Sequence, residues 1–103
     1  MVPEYLNKTI LFLSNAQDNY SFGGDAKKIQ YLCTELRKIK SELPTEKKID
    51  ELQKIVIDLE VKYDNLNELS YYFNPLYVKI KNEIHNEYVK KIREENKRKR
   101  EMN

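Results

Sequence analysis

The sequence predicts an all-α fold, a small bundle of about four helices whose last two form a long antiparallel hairpin. Three observations predict it. Apolar residues recur at alternating steps of three and four through most of the chain, the period of an amphipathic helix. Glycine occurs only 2 times in 103 residues, too rarely for the tight hairpin turns of a β fold. Charged residues make up 35% and hydrophobic residues 40%, which supplies one modest core with a heavily solvated exterior. Residues 1–103 are therefore expected to form a single helical domain.

The first helix is expected over 3–16. Pro3 is suited to a first helical position, and Tyr5, Leu6, Ile10, Phe12 and Leu13 supply its apolar face. The segment Gln17 to Gly24 is the one evident loop. A second helix is expected over 25–43, with Asp25 as N-cap and Ile29, Leu32, Leu36, Ile39 and Leu43 in one stripe. Pro44 ends it, because proline disfavours helical geometry in the residue before it. A third helix is expected over 45–73, capped by Thr45, with the stripe Ile49, Leu52, Val56, Leu59, Tyr63, Leu66 and Ser70. Ile55, Ile57, Val61, Leu69 and Phe73 widen its apolar face beyond what a two-stranded coiled coil needs. The Asn74-Pro75 pair closes this helix and opens a fourth over 75–100. There Leu76, Tyr77, Ile80, Ile84, Tyr88 and Ile92 share one side. Past Ile92 the stripe ends, leaving a charged tail over 93–103. Such long final helices outrun the first two, so part of their coiled-coil-like apolar stripe is left uncovered.

Several functions are disfavoured. One cysteine allows no internal disulfide and no cysteine-built zinc site. No apolar run approaches the roughly 18 residues of a membrane span. The first residues, with Glu4 ahead of a short apolar run, do not read as a signal peptide. An intracellular, reducing location is the expectation, with cytoplasm, nucleus and organelle undistinguished.

Catalytic constellations are not expected. His85 is the only histidine and sits beside the apolar stripe, as a solvated helix residue does. Cys33 flanks Leu32 and Leu36, where a small buried hydrophobe is at home. The segment Phe22–Lys28 lacks the spacing of a phosphate-binding loop. Asp58, Glu60, Asp64 and Glu68 lack the histidine partners of carboxylate metal bundles and read as a solvated acidic face. No cofactor, metal or catalytic residue is assigned, and the chain is not expected to be an enzyme.

Two features point to binding. Lys90, Lys91, Arg93, Lys97, Arg98, Lys99 and Arg100 place seven bases in eleven residues, a patch able to meet phosphates of RNA or DNA. Glu87, Glu94 and Glu95, each four residues before a base, offset it through helical pairs of about 0.2–0.5 kcal/mol each. The second feature is the aromatic corner Tyr71, Tyr72, Leu76 and Tyr77, a candidate partner-binding surface because tyrosine is enriched at interface hot spots. Charge is polarised as well: residues 45–73 carry four bases and seven acids, and residues 74–103 nine bases and five acids. The expected function is a non-catalytic protein-protein interaction module, an accessory or structural subunit of a larger complex. The alternatives are nucleic-acid contact through the basic C-terminal helix, and a small regulator or inhibitor acting by surface contact.

Overall fold

The computed structural model describes the backbone of residues 3–102 and the side chains of residues 4–97. Four helices form it: α1 (Pro3–Asn19), α2 (Ala26–Ile39), α3 (Glu46–Lys62) and α4 (Leu69–Met102). Short 3-10 turns, Gly23–Asp25 and Asp64–Leu66, precede α2 and α4. No strand occurs among the described residues. The helices pack in a ring, α1 on α2 and α4, and α3 on α2 and α4.

The core is one stripe from each helix. α1 gives Leu6, Thr9, Leu13 and Ala16; α2 gives Ile29, Leu32, Cys33, Leu36 and Ile39; α3 gives Ile49, Leu52, Val56 and Leu59; α4 gives Leu69, Phe73, Leu76 and Ile80. Thr9 is tolerated there because its hydroxyl donates to the Tyr5 carbonyl at 2.7 Å, leaving no buried donor unmet. Thr45 caps α3 as expected, its hydroxyl accepting from the Lys48 amide at 3.1 Å.

Several boundaries differ from the expected ones. The second helix ends at Ile39, short of Leu43, and Ser41 and Glu42 turn back onto the Lys38 carbonyl ahead of Pro44. Asp25 does not cap α2 with its side chain. Its carboxylate faces α3, accepting from Lys62 Nζ and Tyr63 Oη at 2.5 Å each. Gly23, at φ 56°, lets the chain reach that position.

The largest difference lies between α3 and α4. The third helix stops at Lys62, not at 73, and α4 runs through Pro75 rather than starting there. Tyr63 is extended, at φ −126° and ψ 119°, and directs its hydroxyl to Asp25 and the Phe22 carbonyl. Asp64, Asn65 and Asn67 follow, residue types whose short polar side chains compete with helical hydrogen bonding. The Glu60 carboxylate accepts from the Ser70 amide, satisfying one of the donors a helix start leaves open. Pro75 lacks the N–H that would reach the Tyr71 carbonyl, at a usual cost of about 3 kcal/mol within a helix. The buried run Leu69, Phe73, Leu76, Ile80 holds α4 continuous across it.

Contacts order the last two helices antiparallel: Ser70 meets Glu60, Tyr77 meets Asp50, and Lys81 meets Glu46. The two are not the equal long hairpin expected, since α3 has 17 residues and α4 has 34. Beyond Ile84 the bundle ends and α4 continues. The molecule measures 63 × 23 × 19 Å, with a radius of gyration of 17.1 Å, against about 13 Å for a compact domain of this length.

Candidate interaction surface

The surface is built where α4 leaves the bundle. Its last fixed point is a polar clamp on α3. The Tyr77 hydroxyl donates to Asp50 Oδ1 at 2.7 Å, and the Lys81 ammonium reaches Glu46 at 2.7 Å and Asp50 at 3.2 Å. The Tyr77 hydrogen bond, reinforced by Lys81, holds the Asp50 carboxyl below its ordinary range, while Glu46 and Asp50 raise Lys81. The clamp fixes the direction in which the rest of α4 projects.

Beyond it the helix changes character. Ile84 is half-buried, Tyr88 is 62% exposed and Ile92 is 38% exposed. These residues sit four apart, so they lie along one gently drifting helix face. Only Val89 is half-buried among the described side chains from His85 to Lys97; the rest are exposed. From His85 to Met102 the helix extends about 27 Å, at about 1.5 Å per residue. Two shallow grooves flank its root, one lined by Glu46, Lys81, Ile84, His85 and Tyr88, the other by Leu43, Glu83, Asn86, Glu87 and Lys91.

Lys90, Lys91, Arg93 and Lys97 are exposed on this projection. None of the four forms an ion pair among the described residues, and the expected Glu87–Lys91 pair is absent. Arg98, Lys99 and Arg100, with the pairs expected to them from Glu94 and Glu95, lie outside the described side chains.

The aromatic corner divides. Leu76 is fully buried and Tyr77 is engaged with Asp50, so neither is a free contact residue. Tyr71 is exposed and Tyr72 half-buried. Their rings meet edge-on at 5.5 Å, and Tyr72 leans on Phe12 at 5.6 Å. With Lys8, Leu11 and Asn15 they line a shallow groove between α1 and α4. That groove lies at the start of α4, with the packed half of the helix between it and the projecting segment. The two candidate surfaces are thus separate.

A third exposed apolar pair, Ile57 and Val61 on α3, stands at 48% and 84% exposure. Sequence reasoning misses it by counting both residues toward the inward face of that helix. The signal is their phase: Ile57 falls one residue after Val56 and Val61 two after Leu59, both off the Ile49, Leu52, Val56, Leu59 stripe.

Cys33 is buried, and burial pushes its thiol up, away from the reactive thiolate. The described residues hold no cluster of three or more potential metal ligands. None of the described helices is long and apolar enough to cross a membrane. No protein family, curated protein or solved structure matches the chain.

Proposed function

We propose that the chain is a non-catalytic protein-protein interaction module, an accessory subunit that docks through the projecting half of α4. One observation carries this reading. A continuous helix leaves its own bundle with Tyr88 and Ile92 in solvent, although an isolated helix of this length gains little stability by itself. Apolar side chains aligned on one face of such a helix suit the groove of a partner protein. A test compares the chains that co-purify with the wild type and with a Tyr88→Ser, Ile92→Asp variant. A defined partner in fixed ratio, absent from the variant while the bundle stays folded, supports the reading. An unchanged set of partners contradicts it.

A second reading, binding to RNA or DNA phosphates, is favoured by the four unpaired bases from Lys90 to Lys97. It predicts affinity that falls steeply with salt for every sequence tested. Neutralising Lys97, Arg98, Lys99 and Arg100 then flattens that dependence by up to about four units, roughly one for each phosphate no longer neutralised. Glu94 and Glu95 lie on the same projection and repel phosphates, which favours the protein partner.

A further inference from the structure

We infer that α3 and α4 can join into one continuous helix, and that two copies of this chain then exchange their α4 helices to form an intertwined dimer. The bend at Tyr63 is the hinge, and Asp25 is the latch that keeps it closed.

The sequence carries a coiled-coil repeat straight through the bend. Ile49, Val56, Tyr63, Ser70 and Tyr77 follow at intervals of seven, and so do Leu52, Leu59, Leu66, Phe73 and Ile80. All of the second set are buried, and none of the first set is exposed. A turn that reverses the chain sets the phase of the next helix afresh, so a bent connection makes no use of such a repeat. A continuous helix does, because heptads keep one apolar face along its whole length. The connection itself is already close to helical. Asp64–Leu66 is a 3-10 turn and Asn67 sits at φ −65° and ψ −18°. Neither glycine nor proline lies between Lys62 and Pro75. Tyr63, at φ −126° and ψ 119°, departs from helical geometry.

Contacts from the α1–α2 loop hold Tyr63 extended. Its hydroxyl meets Asp25 Oδ2 at 2.5 Å and the Phe22 carbonyl at 3.2 Å, and its ring stands edge-on to Phe22 at 5.0 Å. Lys62 reaches the same carboxylate at 2.5 Å. Turning Tyr63 into helical geometry breaks this set and swings α4 away from its own α3. The face that is uncovered, Leu69, Phe73, Leu76 and Ile80, is the one the bundle buries, so it repacks on α1 and α3 of a second copy. The contacts of Tyr77 with Asp50 and of Lys81 with Glu46 then form between chains, in the same antiparallel order. Each copy offers the same patch to the other, so the exchange closes at two chains about a two-fold axis. The projecting half of α4 takes no part, and the exchange does not depend on what docks there.

The experiment is refolding from denaturant at about 10 μM and at about 1 mM, a range in which exchange between copies begins to compete with closure. Sedimentation after dilution reads the product. The wild type refolded at the higher concentration is expected to yield a dimer that persists on dilution, because reversal must unpack α4. A Lys54→Cys, Lys79→Cys variant carries spin labels at two exposed sites, while Cys33 is buried. Excess unlabelled chain ensures that only distances within one chain are read. In the monomer the labels sit on adjacent helices, within about 20 Å, since packed helix axes lie about 8–10 Å apart. In the dimer they are expected about 37 Å apart, at about 1.5 Å per residue along one helix. Asp64→Ala, Asn65→Ala and Asn67→Ala together place better helix formers at exposed positions and should raise the dimer-to-monomer ratio about tenfold or more. Tyr63→Phe, which removes only the latch hydroxyl, should raise it by less. Asp64→Pro should refold to monomer alone. Proline suits the first position of the 3-10 turn and the extended residue before it, and it forbids the continuous helix. Circular dichroism checks that each variant folds, and the wild type carries the test should one fail. A wild type that refolds only to monomer at the higher concentration overturns the proposal, as does a dimer whose labels keep the monomer distance. A folded Asp64→Pro variant that dimerises as the wild type does overturns it as well. A ratio unmoved by Tyr63→Phe overturns the latch.

Discussion

The two halves of α4 are one uninterrupted helix in two different environments. From Leu69 to Ile84 it buries Leu69, Phe73, Leu76 and Ile80 and is clamped to α3 by Tyr77 and Lys81. From His85 to Lys97 its side chains meet mostly solvent. The first half carries a proline in its interior and still holds, because packing outweighs one missing hydrogen bond. The second half has better local helix formers (Glu, Lys and Arg), and of its described side chains only Val89 is half-buried. Helical continuity therefore has different causes on the two sides: tertiary burial in one, intrinsic propensity in the other. Both halves carry exposed apolar groups, Tyr71 and Val78 in the first and Tyr88 and Ile92 in the second, but only the second pair lies on the segment that leaves the bundle.

The contrast can be broken most severely in the core. Phe73→Ala or Leu76→Ala should cost about 2–5 kcal/mol, as truncations at packed sites do. Ile92→Ala should change urea unfolding of the same protein by less than about 0.5 kcal/mol. Comparable losses at both places would show that the projecting half is part of the folded core. Thr45→Ala, which removes the α3 cap, should cost about 1 kcal/mol, as read from the same unfolding curves.

A pH series sharpens the comparison at the bundle's two ends. Asp25 is held below the usual carboxylate range chiefly by the Lys62 hydrogen bond and then by Tyr63, and Asp50 chiefly by Tyr77. A carboxyl lowered in the folded state adds stability above its unfolded pKa, about 3.9. That stability is lost as pH falls through the lower folded value. The wild type should therefore exceed an Asp25→Asn, Asp50→Asn variant in stability at pH 6. The gap should close on acidification below about pH 4. A constant gap would show that these carboxylates are not tuned by their partners.

Much of this fold is legible in the sequence, and the exceptions have physical causes. The stripes Ile29 to Ile39 and Ile49 to Leu59 are core as their spacing indicates, and Thr45 caps as its type indicates. The α3–α4 break is not visible in the spacing. Tyr63 and Leu66 pack inward from a turn while keeping helical intervals, so the pattern runs through the interruption. The contrary signal, Asp64-Asn65 followed by Asn67, is compositional. Pro75 misleads the other way, since a proline signals a helix start locally while Phe73 and Leu76 bind both flanks to one core. At the candidate site, the uncovered face and the basic patch follow from helix length and charge. The sorting of Tyr71, Tyr72, Leu76 and Tyr77 does not, because one residue's change in phase decides whether a side chain is buried or free.

The most direct test is amide hydrogen exchange along α4 in the dilute, monomeric protein. The account predicts that amides of residues 73–84 exchange only through global unfolding, while those of residues 88–100 exchange orders of magnitude faster through local fraying. Equal protection on both sides of Ile84 would mean that the chain covers its own projecting helix, and would contradict the claim that this segment is open to a partner.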